Sequence, residues 1–135
     1  MHKKRVLWVD DDSWNTDTYQ LALQEKGFEV VFLTDVDEAM ALLKDKGFNF
    51  DLVIWDLSLP PGNSFRKEPN DGGTTTGSHF FRAVKDRSPK TPTLLFTNFK
   101  ALVPDWNRPA RREFAFAKRD YLPDEFASAV RGLLY

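Results

Sequence analysis

Asp51-Leu52-Val53-Ile54-Trp55-Asp56, continuing as Leu57-Ser58-Leu59-Pro60, is the stretch that decides the fold. A short apolar run with turn residues behind it suits a strand covered on both faces, as in a parallel sheet. The run delivers one carboxylate, Asp56, to the strand's C-terminal end. In open α/β sheets ligands bind at that edge, so the rest of the chain is read for what it brings there.

Upstream, Arg5-Val6-Leu7-Trp8-Val9 predicts a second apolar strand, which runs straight into Asp10-Asp11-Asp12-Ser13. Ser13 is placed to cap the following helix, in which Trp14, Leu21 and Ala22 share a face, and Gly27 suits the position past its end. Residues 28–33, rich in Val and Phe, predict a strand. Asp35 with Glu38 makes a capping-box-like start for a helix that turns Val36, Ala39, Met40 and Leu43 inward and closes at Gly47.

Downstream of Asp56 the pattern lapses over about residues 57–77, where Pro60-Pro61-Gly62-Asn63-Ser64 and Asp71-Gly72-Gly73-Thr74-Thr75-Thr76-Gly77 are turn chemistry. A structureless loop of that length inside a compact domain is usually functional or mobile. Phe80, Phe81 and Val84 then give a helical face up to Arg87, and Pro92-Thr93-Leu94-Leu95-Phe96-Thr97 predicts a fourth buried strand. Pro104 and Pro109 rule out one long helix over residues 98–112 and leave short helical pieces. Phe114-Ala115-Phe116-Ala117-Lys118 predicts a fifth strand, and Pro123 opens a last helix with Phe126, Val130, Leu133 and Leu134 inward. Strand and helix alternate five times. That implies one α/β domain over residues 1–135, a doubly wound parallel sheet with right-handed crossovers and helices on both faces.

Composition narrows the function classes. With 19 Lys plus Arg against 20 Asp plus Glu, the net charge of −1 gives no reason to expect a nucleic-acid backbone as ligand. The absence of cysteine excludes disulfides and thiolate metal sites. No apolar run approaches the ~18 residues a spanning helix needs, and Met1-His2-Lys3-Lys4-Arg5 has no apolar stretch behind it to make a signal peptide. A cytoplasmic protein without a membrane partner is expected.

If the five strands are parallel and adjacent, their C-terminal edge collects Asp10, Asp11, Asp12, Asp56, Thr97 and Lys118. Converging carboxylates repel one another unless a cation joins them. All-oxygen ligation without Cys or a nearby His favours Mg²⁺, which recruits one or two carboxylates and keeps several waters. Such a cation usually accompanies a phosphate. A lysine ammonium and a threonine hydroxyl opposite the acids suit phosphoryl transfer, with the nearest carboxylate as nucleophile.

Val6-Leu7-Trp8-Val9-Asp10-Asp11-Asp12, the stretch 51–60, Pro92-Thr93-Leu94-Leu95-Phe96-Thr97 and Lys118 together resemble the receiver domain of two-component response regulators, in order and over nearly the whole chain. The resemblance implies the flavodoxin-like strand order 2-1-3-4-5. It implies that Asp56 accepts a phosphoryl group from a sensor histidine kinase, a histidine phosphotransfer protein or a small donor such as acetyl phosphate. Asp10, Asp11, Asp56 and the backbone carbonyl of Ser58 would hold Mg²⁺, Thr97 and Lys118 would contact the phosphoryl oxygens, and a downstream protein target would read the result. Oligomeric state stays open. The chain would catalyse only its own phosphorylation and dephosphorylation. Two alternatives are a haloacid-dehalogenase-like phosphatase, whose usual second Asp is replaced here by Ser58, and a degenerate receiver that works without phosphorylation.

Four features depart from the family pattern. Arg119 follows Lys118 where a Pro, often cis, is usual; Asn98 replaces a small residue after Thr97 and is expected to limit access to the phosphoryl group. Ala115 stands at the usual aromatic switch position, with Phe114 and Phe116 expected on the opposite strand face. The stretch 61–77 is roughly ten residues longer than common, and is expected to cover the site or to present a partner surface.

Overall fold

In the computed structural model, which describes residues 3–69, 73 and 75–135, the predicted alternation is present. The strands are β1 (Arg5–Val9), β2 (Glu29–Leu33), β3 (Leu52–Trp55), β4 (Thr93–Thr97) and β5 (Glu113–Ala117). The helices are α1 (Ser13–Glu25), α2 (Val36–Lys44), α3 (Thr76–Arg87), α4 (Val103–Trp106) and α5 (Pro123–Leu134). All strand pairs are parallel, and the order is β2-β1-β3-β4-β5. The register sets Val9 beside Trp55 and Thr97 beside Ala117, so the residues that follow β1, β3 and β5 leave the sheet along one edge.

Side chains alternate between the two faces of the sheet, and each face is covered. On one, Leu7, Val9, Val53, Trp55 and Leu95 pack under α2 and α3; on the other, Val6, Trp8, Leu52, Ile54, Leu94 and Phe96 pack under α1 and α5. The second layer is tied together by aromatic contacts: Trp8 meets Phe126 with ring centroids 5.5 Å apart, and Phe96 meets Phe126 at 4.3 Å. Phe114 and Phe116 lie against this layer while Ala115 faces the other, as their alternation predicts.

Several local expectations need correction. Asp12, not Ser13, caps α1, its carboxylate accepting the Asn15 N–H at 3.1 Å; an ionised acceptor at a helix N-terminus is the stronger cap. The buried face of α1 is Thr16, Ala22 and Leu23, whereas Trp14 is 83% and Leu21 54% exposed. Asp35 caps α2 through the Asp37 N–H, and that helix ends at Asp45 rather than at Gly47. Strand β5 starts one residue earlier than predicted, and Lys118 opens a short 3₁₀ turn, Lys118–Asp120.

The stretch after Asp56 is not structureless where it is described; residues 70–72 and 74 lie outside the described residues. Leu57, Leu59 and Phe65 join the core. The Asp37 carboxylate accepts the N–H groups of Asn63 at 2.9 Å and Ser64 at 2.8 Å as well as the Ser64 hydroxyl. Gly62, at φ +57°, passes so close that a Cβ there would fall 2.5 Å from Asp37 Oδ2. Phe65 stacks on His79 at 5.9 Å, and His79 Nε2 lies 2.6 Å from the Pro69 carbonyl oxygen. Much of the extra chain is therefore anchored to the start of α2 and to α3.

After β4 the chain makes a 3₁₀ turn (Lys100–Leu102) and a single turn of α4, then folds back along β5. Arg108 pairs with Glu113 in an antiparallel bridge, and Asn107 Oδ1 accepts the Ala115 N–H at 3.2 Å, so the outer edge of β5 is covered. Trp106, the last residue of α4, packs on the sheet and meets Trp55 edge-on at 5.1 Å. Glu113, 7% exposed, is balanced by Lys85 at 3.8 Å and Arg108 at 3.9 Å.

Helix α3 begins at Thr76, inside the loop expected to run to residue 77. Gly77 serves this approach and not a turn: a Cβ on it would stand 1.8 Å from the Asp56 carbonyl oxygen and 2.7 Å from Leu57 Cα. Both obstacles are backbone, which cannot rotate away. Gly77→Ala is expected to destabilise the fold by about 2 kcal/mol or more, as overpacking does, which a urea midpoint well below wild type would reveal; an unchanged midpoint would contradict the close packing.

Candidate functional site

Strands β1 and β3 are adjacent, and each ends in an acid. Asp10 is fully buried; its N–H donates to the Leu33 carbonyl at 3.1 Å and its Oδ1 accepts the Asp12 N–H at 3.0 Å. Asp56, 5% exposed, receives the Leu57 N–H on Oδ1 at 2.8 Å. Lys118 arrives from the end of β5, and its Nζ lies 2.8 Å from Asp10 Oδ2 and 3.1 Å from Asp56 Oδ2. The contact to Asp56 is a hydrogen bond. The shorter contact, to Asp10 Oδ2, is an ion pair, so one ammonium is shared between the two carboxylates.

Thr97 closes the site from β4. It is fully buried, and its Oγ1 accepts the Phe99 N–H at 3.1 Å. Asp11 is exposed at the rim and Ser58 is half-buried after β3. The structure thus gathers Asp10, Asp56, Thr97 and Lys118, with Asp11 beside them. Asp12 turns away to its capping role. His79 stands apart, against Phe65 and the Pro69 carbonyl.

Burial is the dominant force on both inner carboxylates. It pushes Asp56 up from the usual carboxylate range, against the pull of Lys118, the Leu57 N–H and the Thr97 hydroxyl. Asp10 is likewise raised by burial, Lys118 pulling it down and Asp56 pushing it further up. Asp11 is raised by burial and by Asp10. Burial lowers Lys118, but Asp56 and Asp10 together outweigh it and hold the ammonium above its ordinary value. Asp12 is lowered by its hydrogen bonds from Asn15.

One ammonium faces three carboxylates, so the site is short of positive charge. Among the described residues no three His, Cys, Asp or Glu side chains stand together as a ready-made metal cage. The donor set instead suits a hard cation that takes one or two carboxylates and keeps its water: the buried carboxylates of Asp10 and Asp56, which share a single ammonium, with the exposed carboxylate of Asp11 beside them.

Sequence reading found the charged residues and missed two backbone contributions, the Leu57 N–H that fixes one Asp56 oxygen and Gly77, which lets α3 lie against the Asp56 carbonyl. An N–H donor leaves no mark in the sequence. The glycine was visible, but its neighbours made it look like part of the turn.

A doubly wound parallel α/β domain with a buried carboxylate–lysine–hydroxyl site at the C-terminal edge of its sheet is the class these observations define. The family model described as the response regulator receiver domain matches residues 6–105, and the chain belongs to that family, the receivers of two-component signalling. Solved receivers share the fold. Chemotaxis response regulator CheY4 of Vibrio cholerae is 24% identical, with a TM-score of 0.70 over 98% of this chain and 99% of that one. The non-phosphorylated HemR receiver domain of Leptospira biflexa is 21% identical, with a TM-score of 0.72 over 98% and 94%. Among curated proteins, the cell cycle transcriptional regulator CtrA of Caulobacter vibrioides is 41% identical over 56 residues, 42% of this chain and 23% of CtrA. The chain spans about a quarter of the length of the curated relatives it matches. No helix among the described residues is long and apolar enough to cross a membrane.

The raised Asp56 makes a prediction about stability. A carboxyl that binds its proton more tightly when folded stabilises the fold fully below its unfolded value of 3.8, and that contribution is lost as pH rises through the higher folded value. At neutral pH the ionised Asp56 therefore strains the metal-free fold. Asp56→Asn should melt at a higher temperature than wild type at pH 7 without metal, and the gap should narrow as pH falls towards 3.8. A variant that melts lower at neutral pH would contradict this.

Proposed function

We propose that the domain, residues 1–135, is a phosphorylation-controlled switch in which Asp56 is the phosphoacceptor. The observation that carries this reading is the buried Lys118 ammonium shared between Asp10 at 2.8 Å and Asp56 at 3.1 Å. An Asp56 carboxylate oxygen attacks phosphorus, the bond from phosphorus to the donor breaks, and the donor's leaving group departs. Lys118, already on Asp56, and the buried Thr97 hydroxyl at the end of β4 would receive the phosphoryl oxygens. Leu57 N–H holds the other carboxylate oxygen and so limits rotation of the nucleophile.

Asp10, Asp11, Asp56 and the Ser58 carbonyl would hold Mg²⁺, which when bound offsets the charge of the incoming phosphoryl group. Phosphorylation brings about −1.5 to −2 of charge to the site. Lys118 then has a stronger partner than Asp10, and Thr97 a new acceptor, which biases the segment that follows β4. The donor is a sensor histidine kinase, a histidine phosphotransfer protein or a small phosphodonor, and a downstream protein reads the switched surface in a cytoplasmic setting. The chemistry ends at its own phosphorylation and dephosphorylation: Ser58 offers no general acid for turnover of a separate substrate.

Incubation with a small phosphodonor and Mg²⁺, followed by intact mass measurement, should add one phosphoryl group to wild type and none to Asp56→Asn. Labelling of the variant to the same extent, or none in wild type, would refute Asp56 as the acceptor.

A further inference from the structure

Beside the phosphoacceptor lies a cavity of about 270 Å³ whose lining includes Asn15 and Tyr19 of α1, Asn98 after β4, and Lys118 and Arg119 after β5. Lys118 is a wall shared with the phosphoacceptor site. The turn that carries Arg119 is pinned just past it, Lys100 Nζ lying 3.1 Å from Asp120 Oδ1 and the Tyr19 hydroxyl donating to the Tyr121 carbonyl at 2.7 Å. The Lys118–Arg119 peptide bond is trans.

The charges of this cavity are unequally engaged. Asp12, its one carboxylate, is bound by the Asn15 N–H at 3.1 Å and by the Asn15 side-chain amide at 2.9 Å. The Lys118 ammonium is committed to Asp10 and Asp56. Among the described residues nothing pairs with the exposed Arg119 guanidinium. An unpaired guanidinium among side-chain amides is a site for a small planar anion, which its fork can grip with two parallel hydrogen bonds.

We propose that this cavity receives the carboxylate leaving group of a small acyl phosphate, with Arg119 as the residue that holds it; the inference rests on the reading of Asp56 as phosphoacceptor. In that transfer the Asp56 oxygen forms a bond to phosphorus, the bond from phosphorus to the acyl oxygen breaks, and the electron pair leaves on the carboxylate. Reactants and products carry the same charge, and no proton or oxidant is needed. Negative charge grows on the departing oxygens only as the bond breaks, so a guanidinium beside them lowers the barrier more than it strengthens ground-state binding. A donor with a phosphorus–nitrogen bond places no such demand on Arg119, because its nitrogen departs as a neutral amine.

Single-turnover labelling with acetyl phosphate and with phosphoramidate, each with Mg²⁺, separates the two chemistries. The rate ratio of acetyl phosphate to phosphoramidate should fall about tenfold in Arg119→Ala, the scale of one hydrogen-bonded charge pair, and Arg119→Lys should recover part of the loss. A ratio unchanged in Arg119→Ala, or a fall that lysine does not lessen, overturns the inference while the phosphoacceptor reading stands. Wild type that takes label from neither donor removes that reading, and this inference with it.

Discussion

One ammonium between two buried carboxylates is the constraint on which the site depends. Lys118 lies within 3.1 Å of both Asp10 and Asp56, which requires the ends of β1, β3 and β5 to meet at one edge. The order β2-β1-β3-β4-β5, with Asp56 just past the end of the middle strand, brings these three residues to one edge. The arrangement is strained by design: burial raises both carboxylates, and one lysine does not offset them. Removing the lysine would leave two buried carboxylates without a cation, a change of about 3–5 kcal/mol, so the lysine is a structural tie of the site.

The rest of the fold holds this edge still while leaving its rim open. Trp8, Phe96 and Phe126 pack tightly beneath it on one face. On the other, α3 is drawn against the Asp56 carbonyl at Gly77, and the extra chain after β3 is pinned to Asp37 and His79. With α4 reduced to one turn, Trp106 and the folded-back Asn107 and Arg108 cover what a longer helix would cover, including the free edge of β5. Ala115 belongs to the core layer that holds Trp55, Phe81 and Trp106, whose rings stack and meet edge-on.

The sheet was legible in the sequence because its three central strands are buried on both faces, so Val6 to Val9, Leu52 to Trp55 and Leu94 to Phe96 are unbroken apolar runs ending in polar residues. Asp10, Asp56, Thr97 and Lys118 could be read from their place after those runs. The face of α1 was misread because Trp14 and Leu21 are large and apolar yet exposed, while Thr16 is buried with its hydroxyl satisfied by the Asp12 carbonyl at 2.6 Å. Hydrophobic periodicity has no access to such a substitution of hydrogen bonding for apolarity. The anchoring of the loop after β3 was equally hidden: it depends on Asp37, distant in sequence, and on a close approach at Gly62 that looked like ordinary turn composition.

A site short of positive charge that completes itself with a hard cation, as proposed, gains stability when the cation binds the folded state. The direct measurement is the melting temperature as millimolar Mg²⁺ is added at constant ionic strength, in wild type and in Asp10→Asn. The melting temperature should rise saturably in wild type, and the rise should be lost or sharply weakened in the variant. No rise in wild type, or an equal rise in both proteins, would contradict it.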